Sequence, residues 1–214
     1  MPSSIEHGDV AGVVLAGGRS SRMGGGDKGL LVLGGKPMIA HVIERLRPQV
    51  GAMAINANGD PARLSRLGLP VVGDTVGGFA GPLAGVLAGL VWARALPHPP
   101  RWIATVSADA PFVPADLVAR LAAAAARAPC IPLAQSRGEV HPVIGLWPLA
   151  LADDLAGALA AGVRKVLRWT DRHGTVPVDF PDCVIGGRAI DPFFNVNTPD
   201  ELAAARELMG DGAP

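Results

Sequence analysis

VAGVVLAGGRSSRMGGGDKGL, residues 10–30, decides the fold. Residues 10–16 form a short apolar run rich in valine, the pattern of a buried strand. The stretch that follows, GGRSSRMGGGDKG at 17–29, is too rich in glycine for a helix and longer than an ordinary strand-to-helix connection, which marks a functional loop. A strand that ends in such a loop is the device by which open α/β sheets present ligands at their carboxyl edge.

Working outward, short runs rich in valine and isoleucine alternate with helix-like segments, which predicts an α/β fold on a mostly parallel sheet. A helix over 37–47 opens on Pro37 and buries Ile39, Val42, Ile43 and Leu46 at helical spacing. Further strands are expected at 51–57, up to Gly73, at 102–108, at 130–134 and at 143–147, the last two flanking a polar turn, QSRGEVHP. Asp60 and Pro61 start a short helix, TVGGFAGPLAG at 75–85 feeds a helix apolar nearly all round, and 115–127 is alanine-rich and helical. In NVNTPDEL, Thr198 is an N-cap, Pro199 takes the first turn and Glu201 closes a capping box. No repeat or composition break divides the chain, so one domain over 1–214 is expected, its core at about 9–209.

Nineteen lysines and arginines balance nineteen aspartates and glutamates, and no long run of either sign occurs. That balance argues against nucleic acid or an anionic membrane as partner. Cys130 and Cys183 are isolated, so neither a disulfide framework nor a zinc site is expected. The N-terminal residues lack a basic start and an apolar run, and a soluble, cytoplasmic protein is expected.

Four polar features fall at predicted strand ends: the loop from Gly17 to Lys28, Asn56, Asp74 and Asp109. Strand ends converge in open α/β sheets, and that convergence is the main physical argument for an enzyme. The first loop offers many backbone N–H groups together with Arg19, Arg22 and Lys28, which suits a triphosphate; a loop that merely faces solvent is the plainer alternative. It lacks Walker A spacing, and although Gly24, Gly26 and Gly29 satisfy GxGxxG, no helix follows them as a dinucleotide site requires. Asp109, in VSADAPFV, can hold Mg²⁺ or stabilise a turn; Asp74 can accept from ribose hydroxyls or do the same. No GxSxG elbow or HExxH pair is present, and among the histidines only His141 is a candidate for substrate contact.

LAGGRSSRMGGGDKGL, the NAN of Asn56 to Asn58, GPLAG at 81–85, SADAPF around Asp109 and NVNTPDEL, in that order, resemble the molybdenum cofactor guanylyltransferases, the MobA family. The resemblance implies a three-layer α/β/α Rossmann-like nucleotidyltransferase fold. It makes Leu15, Ala16, Gly17 and Gly18 the guanine-binding backbone, helped by Gly81, Pro82 and Leu83. It makes Lys28 the triphosphate lysine, Asn56 and Asp74 further GTP contacts, and Asp109 the Mg²⁺ ligand. Arg22, Lys28 and Asp109 become the catalytic set, while Asn195 and Asn197, with His141, fall on the molybdopterin side. Where some relatives carry a PCDTP-like segment, this chain has SADAP; the aspartate is kept.

The activity so implied moves GMP from GTP onto the phosphate of molybdopterin, with Mg²⁺ as cofactor and transient contacts to cofactor-biosynthesis proteins or acceptor apoenzymes. A molybdopterin cytidylyltransferase, a sugar-phosphate nucleotidyltransferase and a catalytically silent nucleotide-binding regulator are the competing readings. LAGG rather than LAAG, with GPLAG, resembles the guanine branch.

Overall fold

The computed structural model describes residues 5–17, 28–76 and 81–210. In chain order the elements are β1 (Val10–Leu15), β2 (Val32–Leu33), β3 (Lys36–Pro37), α1 (Met38–Leu46), β4 (Ala52–Asn56), β5 (Val71–Val72), α2 (Pro82–Arg94), β6 (Trp102–Ser107) and α3 (Leu117–Ala125). They continue with β7 (Ile131–Ser136), β8 (Glu139–Pro148), α4 (Ala152–Ala160), α5 (Val166–Thr170), β9 (Thr175–Asp179), β10 (Cys183–Ile185), β11 (Arg188–Ile190) and α6 (Pro199–Leu208).

Seven strands form the main sheet in the order β5-β4-β1-β6-β8-β7-β9. Of its six neighbouring pairs, four are parallel (β5–β4, β4–β1, β1–β6 and β7–β9) and two, both made by β8, are antiparallel. The mostly parallel sheet is as the sequence pattern predicts. β8 runs backwards because only Arg137 and Gly138 separate it from β7, and both have positive φ, at 50° and 81°. Two such residues make the mirror-image turn that suits a tight hairpin. The QSRGEVHP stretch expected to be a turn is therefore mostly strand, and His141 lies on β8.

Side chains alternate across each strand, and each face has its own core. Val10 and Val14 of β1 pack with α1 and α3, through Ile39, Val42, Leu46, Leu117 and Leu121. Ala11, Val13 and Leu15 pack with α2, α4 and α5, through Leu83, Val86, Leu90, Leu155 and Trp169. This is the three-layer arrangement. α2 is buried without a break from Leu83 to Leu90, because the sheet covers one side and α4 the other. Gly85 and Gly89 let it approach: a Cβ on Gly89 would sit 2.8 Å from Val13 Cγ2.

A third cluster, Leu33, Met38, Phe112, Val196, Leu202, Ala205 and Leu208, seats α6 beside β2 and the β10–β11 hairpin. The capping box forms as expected. Thr198 Oγ1 accepts from Glu201 N at 3.2 Å, and Glu201 Oε2 accepts from Thr198 N at 2.8 Å. Asp60 caps a 3₁₀ turn over Pro61–Leu67 by accepting from Ala62 N at 2.9 Å. Pro37 is the N-cap of α1 rather than its first residue. No helix among the described residues is long and apolar enough to cross a membrane.

Candidate active site

The chain order reverses at β1, where β4 and β5 lie on one side and β6 on the other. At such a switch point the loops leaving the two strands part and open a crevice beyond their carboxyl ends. Leu15 is the register partner of both Asn56 and Ser107, so the ends of β1, β4 and β6 are level. Ala16 N donates to Asn56 O at 2.8 Å and Ala108 N to Leu15 O at 3.0 Å, which carries the ladder one step into the loops. Gly18 and Arg22 lie outside the described residues.

On the β4 side, Asn56 is 2% exposed and its Nδ2 donates to Asp74 Oδ1 at 2.9 Å and to Val72 O at 3.2 Å. Asn58 grips the same aspartate from outside: its Nδ2 donates to Asp74 Oδ2 at 2.7 Å, and its Oδ1 accepts from Asp74 N at 2.9 Å. Both carboxylate oxygens are thereby oriented by amides, which fixes the rotamer. The first turns of α2 close this side. A Cβ on Gly85 would lie 2.4 Å from Asn56 Oδ1 and 3.0 Å from Leu15 Cδ2, and one on Gly17 would lie 3.5 Å from the same oxygen. Gly81 is the N-cap of α2 with φ 73° and ψ −170°, a conformation essentially reserved for glycine, and sets the direction in which Pro82 and the buried Leu83 enter the helix.

Three segments meet on the β6 side. Lys28 begins a 3₁₀ turn over Lys28–Leu30 that rests on the β6 exit, where a Cβ on Gly29 would lie 3.2 Å from Ala108 Cβ. Asp109 O accepts from Val196 N at 3.0 Å, which fastens the NVN segment to the same exit. Lys28 Nζ then donates to Asn197 Oδ1 at 2.9 Å. Ser107 Oγ donates to Asp109 Oδ1. Asn195 Oδ1 is buried and has no hydrogen-bond partner among the described residues, a state that buried polar atoms rarely keep without a ligand or water.

β8 brings His141 to the same end of the sheet. Gly145 opposes Thr105, so the residues before it run out past the carboxyl end of β6. His141 Nε2 lies 2.7 Å from Ser136 Oγ, and its ring centroid is 4.8 Å from that of Phe193, shortly before the NVN segment. Burial pulls the imidazole pKa below its ordinary value, against the opposing charges of Asp191 and Glu139. His41, by contrast, has its Nε2 2.6 Å from Leu33 O in the core and is structural.

Among the described residues there is no group of three His, Cys, Asp or Glu that could cage a metal. A lone carboxylate with a neighbouring hydroxyl fits Mg²⁺ instead, since that ion commonly takes one or two carboxylates and completes its shell with phosphate and water. Asn58, Ser107, Ser136 and Asp191 were not legible as site residues in the sequence. Asn58 and Ser107 lie inside motifs already noted, whereas nothing in the spacing marks Ser136 or Asp191.

A switch-point crevice with a lysine, two strand-end carboxylates and glycine-lined backbone, on a three-layer sheet, is the place where an open α/β protein takes its ligand. Residues 12–176 match the family model described as the MobA-like NTP transferase domain. A molybdenum cofactor guanylyltransferase of Mesorhizobium japonicum is 50% identical over 203 residues, spanning 94% of this chain and 96% of its own length. The chain belongs to the MobA-like nucleotidyltransferase family, alongside the molybdenum cofactor guanylyltransferases. Its fold is similar to that of molybdopterin-guanine dinucleotide biosynthesis protein A from Archaeoglobus fulgidus, with TM-score 0.69, 23% identity and coverage of 94% of this chain and 99% of that one. A Mycobacterium tuberculosis structure in complex with manganese is similar in fold too, with TM-score 0.63, 20% identity and coverage of 93% and 98%.

Proposed function

We propose that this protein transfers GMP from GTP to the phosphate of molybdopterin, releasing pyrophosphate and forming molybdopterin guanine dinucleotide. The observation that carries the reading is the meeting of Lys28, Asp109 and the NVN segment in one corner of the crevice, with relatives of that activity about half identical over nearly the whole chain.

An oxygen of the molybdopterin phosphate attacks the α-phosphorus of GTP, the bond from that phosphorus to the bridging oxygen of the β-phosphate breaks, and that oxygen leaves with pyrophosphate. The attacking phosphate is already ionised at neutral pH, so no general base is needed. The difficulty is electrostatic, because two anions must be brought together and charge then grows on the leaving group. Lys28 sits where it can exchange the Asn197 amide for phosphate oxygens. Arg22 adds a second cation from the first loop. Asp109 holds Mg²⁺, which when bound polarises the phosphates and offsets their charge.

The glycine-lined ends of β1 and α2, Leu15 to Gly18 and Gly81 to Leu83, read guanine through main-chain groups. Asp74, held by Asn56, accepts from the ribose hydroxyls. Asn195, Asn197 and His141 take the molybdopterin side, where the unpartnered oxygen of Asn195 gains a donor from the ligand. The chain acts as a single domain in the cytoplasm, receiving molybdopterin from other proteins of cofactor biosynthesis and passing its product on.

Mixing the protein with GTP, Mg²⁺ and molybdopterin, and following pyrophosphate release and product mass, tests the reading. The expected product has the combined mass of the two substrates less pyrophosphate. Release of pyrophosphate only with CTP, or only with a sugar phosphate as acceptor, refutes it.

A further inference from the structure

One polar chain joins β7, β8 and the approach to the NVN segment. Ser136, 1% exposed at the end of β7, donates through Oγ to Asp191 Oδ1 at 2.7 Å, and the same Oγ lies 2.7 Å from His141 Nε2. Asp191 Oδ1 also accepts from Phe193 N at 2.8 Å.

Counting protons fixes the direction of these bonds. An ionised carboxylate can only accept, so the single hydroxyl hydrogen of Ser136 goes to Asp191. Ser136 Oγ can then only accept from the imidazole, so His141 carries its proton on Nε2. In the neutral ring Nδ1 is left as a bare acceptor, and no hydrogen bond to it is formed among the described residues.

We propose that Asp191 and Ser136 are positioning residues that set the tautomer of His141, so that Nδ1 accepts from an N–H donor on the pterin of the acceptor substrate. A pterin carries an exocyclic amine and ring N–H groups, and a fixed acceptor discriminates in favour of such donors. The inference rests on the acceptor-side reading given under the proposed function. Ser136→Ala removes the oxygen that holds Nε2–H. In Asp191→Asn the amide can donate to Ser136, which frees the hydroxyl hydrogen to turn toward Nε2 and move the ring proton to Nδ1.

Two-bond ¹H–¹⁵N spectra of the histidine-labelled protein read the tautomer directly, and steady-state kinetics with GTP and molybdopterin read its consequence. The expected result is an Nε2–H tautomer for His141 in the unmodified protein, moved to Nδ1–H in Asp191→Asn, while Ser136→Ala leaves the ring without the bond that orients it. KM for molybdopterin then rises about tenfold in Ser136→Ala and in His141→Ala, the scale of one lost hydrogen bond, with KM for GTP changed by no more than about twofold. An Nδ1–H tautomer in the unmodified protein overturns the proposal, as does an unchanged molybdopterin KM in either Ser136→Ala or His141→Ala. Failure of the underlying guanylyl-transfer reading is separate, for it leaves the unmodified protein without product. If Asp191→Asn does not fold, Ser136→Ala, which deletes only a buried hydroxyl, still decides.

Discussion

Lys28 Nζ donates to Asn197 Oδ1 at 2.9 Å, a bond between residues 169 apart in sequence that joins the first glycine-rich loop to the cap of the last helix. The contact has a direct consequence for substrate binding. A lysine ammonium has three donors, so on turning to a triphosphate Lys28 can release the amide, which is then free for the acceptor.

Asn197→Ala is expected to raise KM for molybdopterin about tenfold, while GTP binds as well as before or slightly better because a competitor for Lys28 is gone. Calorimetric titration with GTP and steady-state kinetics with molybdopterin separate the two. A variant that loses only melting temperature, with unchanged acceptor kinetics, would show that Asn197 serves the turn alone.

Asp109→Asn is expected to lower kcat by about 10²- to 10³-fold, the scale of one lost preorganised charge contact. The fold should survive, because the bond to Val196 N is made by the backbone carbonyl and an amide oxygen can still accept from Ser107. Turnover across a Mg²⁺ titration, with circular dichroism on the same samples, checks both halves. Normal turnover at limiting Mg²⁺ refutes the metal role.

Two glycines on helices should respond oppositely to alanine. Gly85→Ala places a Cβ 2.4 Å from Asn56 Oδ1, on an amide already held by two bonds, and should cost about 1–3 kcal/mol and weaken GTP binding. Gly157 lies in the interior of α4, exposed and with nothing within 4 Å of its Cβ position. Gly157→Ala should stabilise by about 0.4–1 kcal/mol through the unfolded chain. Urea denaturation of both variants checks the signs, and an unchanged or raised stability of Gly85→Ala would mean that α2 does not press on Asn56.

Base choice should favour GTP over CTP by at least about tenfold in kcat/KM, or about 1.4 kcal/mol, because main-chain groups placed for guanine leave polar atoms unpaired against cytosine. Competition between the two nucleotides, with products resolved by mass, measures the ratio. Equal kcat/KM would leave a nucleotidyltransferase without the guanylyl assignment.

The sequence by itself determined what local rules control. The apolar runs at 10–16 and 102–108 read as buried strands, and Thr198 and Glu201 form their capping box within one turn. Lys28, Asn56, Asp74 and Asp109 were legible as strand-end polar residues for the same reason. Between residue 148 and the NVN segment it was nearly silent. α5 has five residues, β10 and β11 have three each, and β9 is an edge strand containing Pro177, so none of these spans enough periods to declare itself; α4 is as long as α1 but buries only Leu155 and Leu159 among alanines, a weaker apolar stripe. Tertiary structure alone decided that His141 stands on a strand, that Ser136 and Asp191 hold it, and that Lys28 reaches Asn197. These are contacts between segments far apart in the chain, and their geometry is set by how the sheet orders its strands and how α6 packs, neither of which leaves a trace in local spacing.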